Sequence, residues 1–264
     1  MVKMMKSIIN GNYLLRIIFL STVLSVSLYG CGDSSESGSS AAPPGNTGTG
    51  GSTARFTIVD NILYTISGAY LQTYDITDVS TPKKILMSTD GYMGFDVETL
   101  FAYNGYLFVG GQLGMDMYDI IANPKSPPKV SEFNHARSCD PVVVQDNLAY
   151  VTLRGGSRCN GFTNQLDIID VSNITQPKLL KTFPLTGPKG LGIDGSNLFV
   201  CDGWAGLKAF DVDVVNLVLT ENWVVSDLDC NDVIPNNGEL VVTSNSRVSQ
   251  FDYQLNLLSE ISAY

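Results

Sequence analysis

Beyond about residue 54 the chain is written in short runs of alternating apolar and polar residues, and the runs come in sets. "NILYTI", "GYLFVG", "NLAYVT", "NLFVCD" and "GELVVT" each follow an Asn or Gly turn and predict a short strand. After each comes a second alternating run that closes on aspartate: "LQTYD", "MDMYD", "LDIID", "LKAFD" and "VSQFD". Ahead of each pair lies "RFTIVD", "GFDVETLFA", "CDPVVVQD", "GLGID" or "CNDVIP", and behind it a run such as "KKILMS". No amphipathic helix interrupts the series.

The closing aspartates Asp75, Asp119, Asp170, Asp211 and Asp252 are 44, 51, 41 and 41 residues apart. Four strands repeated five times at that period predict an all-β chain, a five-bladed β-propeller of four-stranded blades. We name the strands of each blade A to D in chain order. A carboxylate at one place in every blade predicts a structural acceptor for backbone N–H groups in the turn after strand C, not a metal or catalytic set. The strand aromatics Tyr64, Tyr74, Phe108, Tyr118, Tyr150, Phe199, Phe210 and Phe251 are expected to pack between blades.

On "LDIIDVS" with Pro177, "LQTYDIT" with "VSTP" ending at Pro82, and "GLKAFDV", the chain from about Arg55 onward resembles the LVIVD-repeat propellers of bacterial lipoproteins and surface proteins. The resemblance implies a scaffold and carries little about function. The fourth and fifth copies depart from it: "DVDVVNLVL" and "DYQLNLL" lack the Ser-x-x-Pro corner. "SEISAY" at the end is expected as an outer strand of the fifth blade, which would leave closure to packing between blades.

The N-terminus changes the picture from fold to address. A basic start, the apolar run "LLRIIFLSTVLSVSL" and then "LYGCG" have the shape of a secretory signal. Leu28, Tyr29, Gly30 and Cys31 look like a bacterial lipobox, which implies lipid on Cys31; Gly32 after it leans towards the outer membrane. From Gly32 the composition falls to Ser, Gly, Thr, Ala and Pro, a flexible tether unable to bury apolar surface. The expected division is a signal peptide over 1–30, lipidated Cys31 and tether over 31–54, and the propeller over 55–264. Formal net charge is -10, and residues 1–30 hold three cations and no acid, leaving -13 on the remainder. That disfavours nucleic acid and anionic lipid surfaces as partners.

Four cysteines follow Cys31, and in an exported chain they allow three pairings. The repeat map selects among them. Cys139 starts strand A of the third blade and Cys159 lies in an insertion after its strand B; Cys201 ends strand B of the fourth blade and Cys230 starts strand A of the fifth. Bridges Cys139–Cys159 and Cys201–Cys230 are expected. The insertion, "TLRGGSRCNGFTNQ", makes the stretch from Val151 to Leu166 15 residues, against 7 from Val200 to Leu207. B–C loops and D–A connections share one face of a propeller, and insertions in repeat proteins often mark the binding face.

Arg137, Arg154, Arg158, Lys189, Asp140, Asp202, Trp204, Asp229, Asn231 and Asp232 all map to that face, a mixed polar rim suited to a carboxylated or hydroxylated ligand. "DLDCND" at 227–232 offers oxygens for calcium but lacks an EF-hand glycine spacing, so no metal and no cofactor are expected. His135 is the single histidine, and a lone loop histidine is expected to be inert rather than an acid or base. The expected function is therefore a monomeric envelope lipoprotein binding a protein or glycan through one face. The alternatives are a carbohydrate hydrolase or lyase using Asp140, Asp202, Asp229 and Asp232, and a scaffold alone.

Overall fold

A computed structural model describes residues 51–85, 97–135, 141–156 and 161–262. The chain is all-β in these residues apart from one short 3₁₀ turn, Gly203–Ala205. Blade 1 holds β1 (Phe56–Val59), β2 (Ile62–Ser67), β3 (Tyr70–Asp75) and β4 (Lys83–Lys84); blade 2 holds β5 (Val97–Tyr103), β6 (Tyr106–Gly111), β7 (Gly114–Asp119) and β8 (Lys129–Asn134). Blade 3 holds β9 (Val142–Gln145), β10 (Leu148–Leu153), β11 (Gln165–Asp170) and β12 (Lys178–Pro184). Blade 4 holds β13 (Leu191–Asp194), β14 (Asn197–Cys201), β15 (Leu207–Asp213) and β16 (Val218–Val225); blade 5 holds β17 (Cys230–Asn236), β18 (Glu239–Ser244), β19 (Arg247–Asp252) and β20 (Leu257–Ser262). Each set is one four-stranded antiparallel sheet in chain order, so this is the expected five-bladed propeller. Among the described residues no blade borrows a strand from another, and Leu257–Ser262 is the outer strand of blade 5, as expected.

Local chemistry sets the strand ends. Strands A and B are joined through left-handed residues, Asp60, Asn104, Asp146, Gly195 and Asn237, which match the twist of a tight hairpin. At the C–D corners the repeated aspartates accept backbone N–H bonds, as expected. Asp75 takes Thr77 N at 2.9 Å, Asp119 takes Ile121 N and Ala122 N at 2.8 Å, Asp170 takes Ser172 N at 2.8 Å, and Asp252 takes Gln254 N at 2.9 Å. Blade 4 differs. Asp211 lies opposite Asn197 in the same register, but β15 runs two residues further, and Asp213 makes the corner by accepting from Val215 N and Asn216 N.

Packing falls between the blades. On strand B, Tyr64, Phe108, Tyr150 and Phe199 of blades 1 to 4 are buried, each in a cluster shared with the next blade. Burying a side chain of this size contributes roughly 2–3 kcal/mol. The expected bridge Cys201–Cys230 joins blades 4 and 5 within one of these clusters, with Cα atoms 5.4 Å apart. Cys31, Cys139 and Cys159 lie outside the described residues.

The propeller also takes in residues that composition had assigned to the tether. Gly51 and Ser52 are buried in the central channel, where they line a cavity of about 90 Å³ with Phe101, Val143, Leu191 and Val233.

Candidate functional site

Two faces differ in construction. The corner face carries the A–B turns and C–D corners. The turn face carries the B–C turns and D–A connections, and the sequence-predicted rim residues that are described all lie on or beneath it.

Two of those residues are structural. Asp202 follows strand B of blade 4 and is fully buried; its Oδ1 accepts from Thr186 N and Gly187 N at 2.8 Å, and Oδ2 lies 3.0 Å from the Lys208 ammonium. It ties the blade 3–4 connection to the B–C turn. Asp232 is also buried. Ser52 Oγ donates to its Oδ1 at 3.0 Å, while Thr53 N and Thr53 Oγ1 donate to Oδ2 at 3.3 and 2.7 Å. Ser52 Oγ in turn accepts from Leu191 N at 2.7 Å. Burial raises the Asp232 pKa against the pull of these donors. A Cβ at Gly51 or Gly190 would lie about 2 Å from an Asp232 carboxylate oxygen, so only glycine permits this close approach. Neither aspartate forms an open rim, because both carboxylates are consumed by holding loops.

The remaining described rim residues are more accessible. Lys189 Nζ sits 2.6 Å from Asp229 and 3.1 Å from Asn231 Oδ1, and Asn231 Nδ2 donates to Asn245. These contacts link the blade 3–4 and blade 4–5 connections. Arg154, half-buried, opens the blade 3 insertion, whose base is closed by Gly155 N on Asn164 Oδ1 and Gly156 N on Gly161 O. Arg137, Asp140 and Arg158 lie outside the described residues. His135 N donates to Leu113 O, which places the histidine beside the blade 2 turn.

Of the apolar tips on this face, the sequence reading named Trp204 and missed the other two. Leu113, Phe162 and Trp204 stand on the B–C segments of blades 2, 3 and 4 with 61%, 99% and 80% of their surface exposed. Burying such side chains elsewhere would be favourable. Their signal was present, since all three fall in B–C segments where a turn needs only small polar residues.

A second missed feature is a polar spot on strand C, three residues before each repeated aspartate. In blade 2 it is Asp116, 3.0 Å from Lys129 Nζ, which also meets Glu132 at 2.6 Å. These side chains, with Gln112, Leu113 and Asn134, line a cavity of about 310 Å³. Burial raises the Asp116 pKa, and Lys129 offsets part of that. The same position is Asp167 in blade 3, which accepts from Gln165 and Thr182, and Lys208 in blade 4. Among the described residues no three His, Cys, Asp or Glu side chains are grouped to hold a metal ion.

No family model and no curated protein matches this chain. Solved structures do match. The periplasmic gluconolactonase PpgL of Pseudomonas aeruginosa is 12% identical with a TM-score of 0.57, over 76% of this chain and 66% of that one. A putative 6-phosphogluconolactonase from Bacteroides fragilis is 14% identical with a TM-score of 0.56, over 78% and 69%. BamB from Moraxella catarrhalis is 14% identical with a TM-score of 0.50, over 78% and 59%. What is shared is the β-propeller fold. The chain spans about 60% of the length of BamB and of the computationally designed Ika8 protein.

Proposed function

We propose that the chain is an envelope lipoprotein of the LVIVD-repeat kind, lipidated at Cys31, that binds an envelope protein or glycan through the turn face and does no chemistry of its own. The observation that carries this reading is the display of Phe162 and Trp204, almost bare of contacts, on neighbouring blades. Two exposed aromatics on the face that also carries the Lys189, Asp229 and Asn231 group combine an apolar anchor with a polar rim, as recognition surfaces do. The buried Cys201–Cys230 bridge suits an oxidising compartment outside the cytoplasm, and Gly32 after Cys31 favours the outer membrane. That one structural neighbour is a periplasmic protein agrees with this address.

The hydrolase alternative draws no support from Asp202 or Asp232, whose carboxylates are committed to holding loops. The test is retention from envelope extract by the wild-type chain and by Phe162→Ser/Trp204→Ser, with retained protein and sugar identified by mass spectrometry. A species held by the wild type and lost from the double variant supports the reading. Equal retention by both contradicts it and returns the chain to a scaffold.

A further inference from the structure

In blades 2 to 5 the strand C residue three places before the repeated aspartate lies opposite a residue of strand D. Blade 3 sets Asp167 opposite Thr182, whose hydroxyl donates to the carboxylate at 2.7 Å. Blade 5 sets Ser249 opposite Glu260, again with a hydroxyl donating to a carboxylate, and blade 4 sets Lys208 opposite Val224. Blade 2 alone among these four sets acid against acid, Asp116 opposite Glu132. Like charges directly opposite on a sheet are destabilising. Lys129 repairs this in part, with its ammonium 3.0 Å from Asp116 and 2.6 Å from Glu132, but a single cation between two carboxylates leaves a negative charge over. The fold fills this position in three other ways without that cost, and a local rule broken without structural need points to function.

The three side chains line the cavity of about 310 Å³ in blade 2, a volume within the range of small-ligand sites. Lysine carries three N–H groups, and Lys129 spends two on the carboxylates. Each carboxylate keeps room for further donors. Glu132 Oε1 takes Asn134 Nδ2 at 3.0 Å, and Asp116 Oδ2 meets the Tyr118 hydroxyl only at 3.5 Å, the limit of hydrogen bonding. The Gln112 and Asn134 amides add donors and acceptors to the same lining, and the exposed Leu113 adds apolar surface.

We propose that this cavity binds one unit of a neutral saccharide, its vicinal hydroxyls bridging Asp116 and Glu132 around Lys129 and its C–H surface against Leu113. A hydroxyl can donate to a carboxylate and accept the remaining Lys129 N–H at once, so it satisfies the group without adding charge. An anionic ligand meets two carboxylates against one ammonium, and a cationic one must lie against that ammonium. Uncharged polyols are what the arrangement selects. The inference rests on the turn-face reading and deepens it, giving its glycan a class and a cavity on residues separate from Phe162 and Trp204.

The test is saturation-transfer NMR on the full chain in a sugar-free detergent, with glucose, N-acetylglucosamine, cellobiose and chitobiose as neutral probes and glucuronate as the anionic one. Transfer to at least one neutral probe, and less to glucuronate, is expected. Glu132→Thr, which copies the blade 3 pair, and Asp116→Asn each weaken binding about tenfold, the loss of one charge-assisted hydrogen bond, without lowering the melting temperature. No transfer to any neutral probe overturns the proposal, as does equal transfer to glucuronate or unchanged affinity in both variants. Lost binding together with a lower Tm marks the pair as structural and overturns it too. Transfer lost from Phe162→Ser/Trp204→Ser but kept by Glu132→Thr overturns this cavity and spares the turn-face reading. Transfer lost from Glu132→Thr, with envelope retention equal in the wild type and Phe162→Ser/Trp204→Ser, overturns that reading and spares the cavity.

Discussion

The corner face and the turn face are made from the same five repeats, yet one is uniform and the other is not. At the corners an aspartate accepts backbone N–H groups in every blade, with only the shift from Asp211 to Asp213 in blade 4. At the turns each blade does something different: a glycine-flanked Leu113, an insertion ending in Phe162, a 3₁₀ turn bearing Trp204, and a disulfide to blade 5. Repetition maintains a fold, whereas departure from repetition marks where something else was required. The corner face also exposes Val79, Ile121 and the Val214–Val215 pair, aliphatic residues at separate corners, with Ile121 lining a cavity of about 330 Å³.

The largest effect expected from breaking this contrast is on the turn-face staples. Replacing Cys201 and Cys230 by serine frees a 29-residue loop and lowers stability by about 3–4 kcal/mol in the chain-entropy model, measured by thermal unfolding. Next is Asp232→Ala. It strands the Ser52 and Thr53 donors in a buried site and costs about 2–3 kcal/mol, with faster proteolysis ahead of Phe56 as its specific mark. Asp119→Ala removes two corner bonds at the solvent boundary and costs about 1 kcal/mol, with native proteolysis of that N-terminal segment unchanged.

Acid sharpens the comparison through opposite signs. Hydroxyl and backbone donors hold Asp78 at about 2 and lower Asp75 and Asp170, and the Asn216 and Asn256 side-chain amides, with backbone N–H groups, lower Asp213 and Asp252. A depressed carboxylate contributes stability above its unfolded pKa and loses it as pH falls through the folded value, so the corner face weakens between about pH 4 and pH 2. Asp232 and Asp116 are raised by burial. Their contribution is therefore complete below about pH 4 and diminishes as pH rises through their folded values. Asp75→Asn should flatten the acid limb of a stability–pH curve, and Asp232→Asn the limb above it; identical curves for the two variants would contradict this division.

Much of the fold was legible because its signals are periodic. Strand B after an Asn or Gly turn, strand C before an aspartate, and the Cys201–Cys230 pairing all follow from where a residue falls in the repeat. What escaped was local or long-range. Asp211 matches the repeat in sequence, but a two-residue extension of β15 hands the corner to Asp213. Ser52 and Thr53 look like tether by composition, because a Ser/Thr run gives no sign that a carboxylate 180 residues away will order it. Asp202 and Asp232 share the rim's chemistry and map position with Asp229, and burial alone separates them. Leu113 and Phe162 were readable only by asking what does not belong in a turn.

The central claim is that the turn face, not the corner face, meets the partner. A photo-crosslinking amino acid placed at Trp204, and separately at Val215 as an equally exposed position on the other face, tests it in intact cells. The account predicts a discrete adduct from position 204 and none from position 215. An adduct from 215 alone, or the same adduct from both, would contradict it.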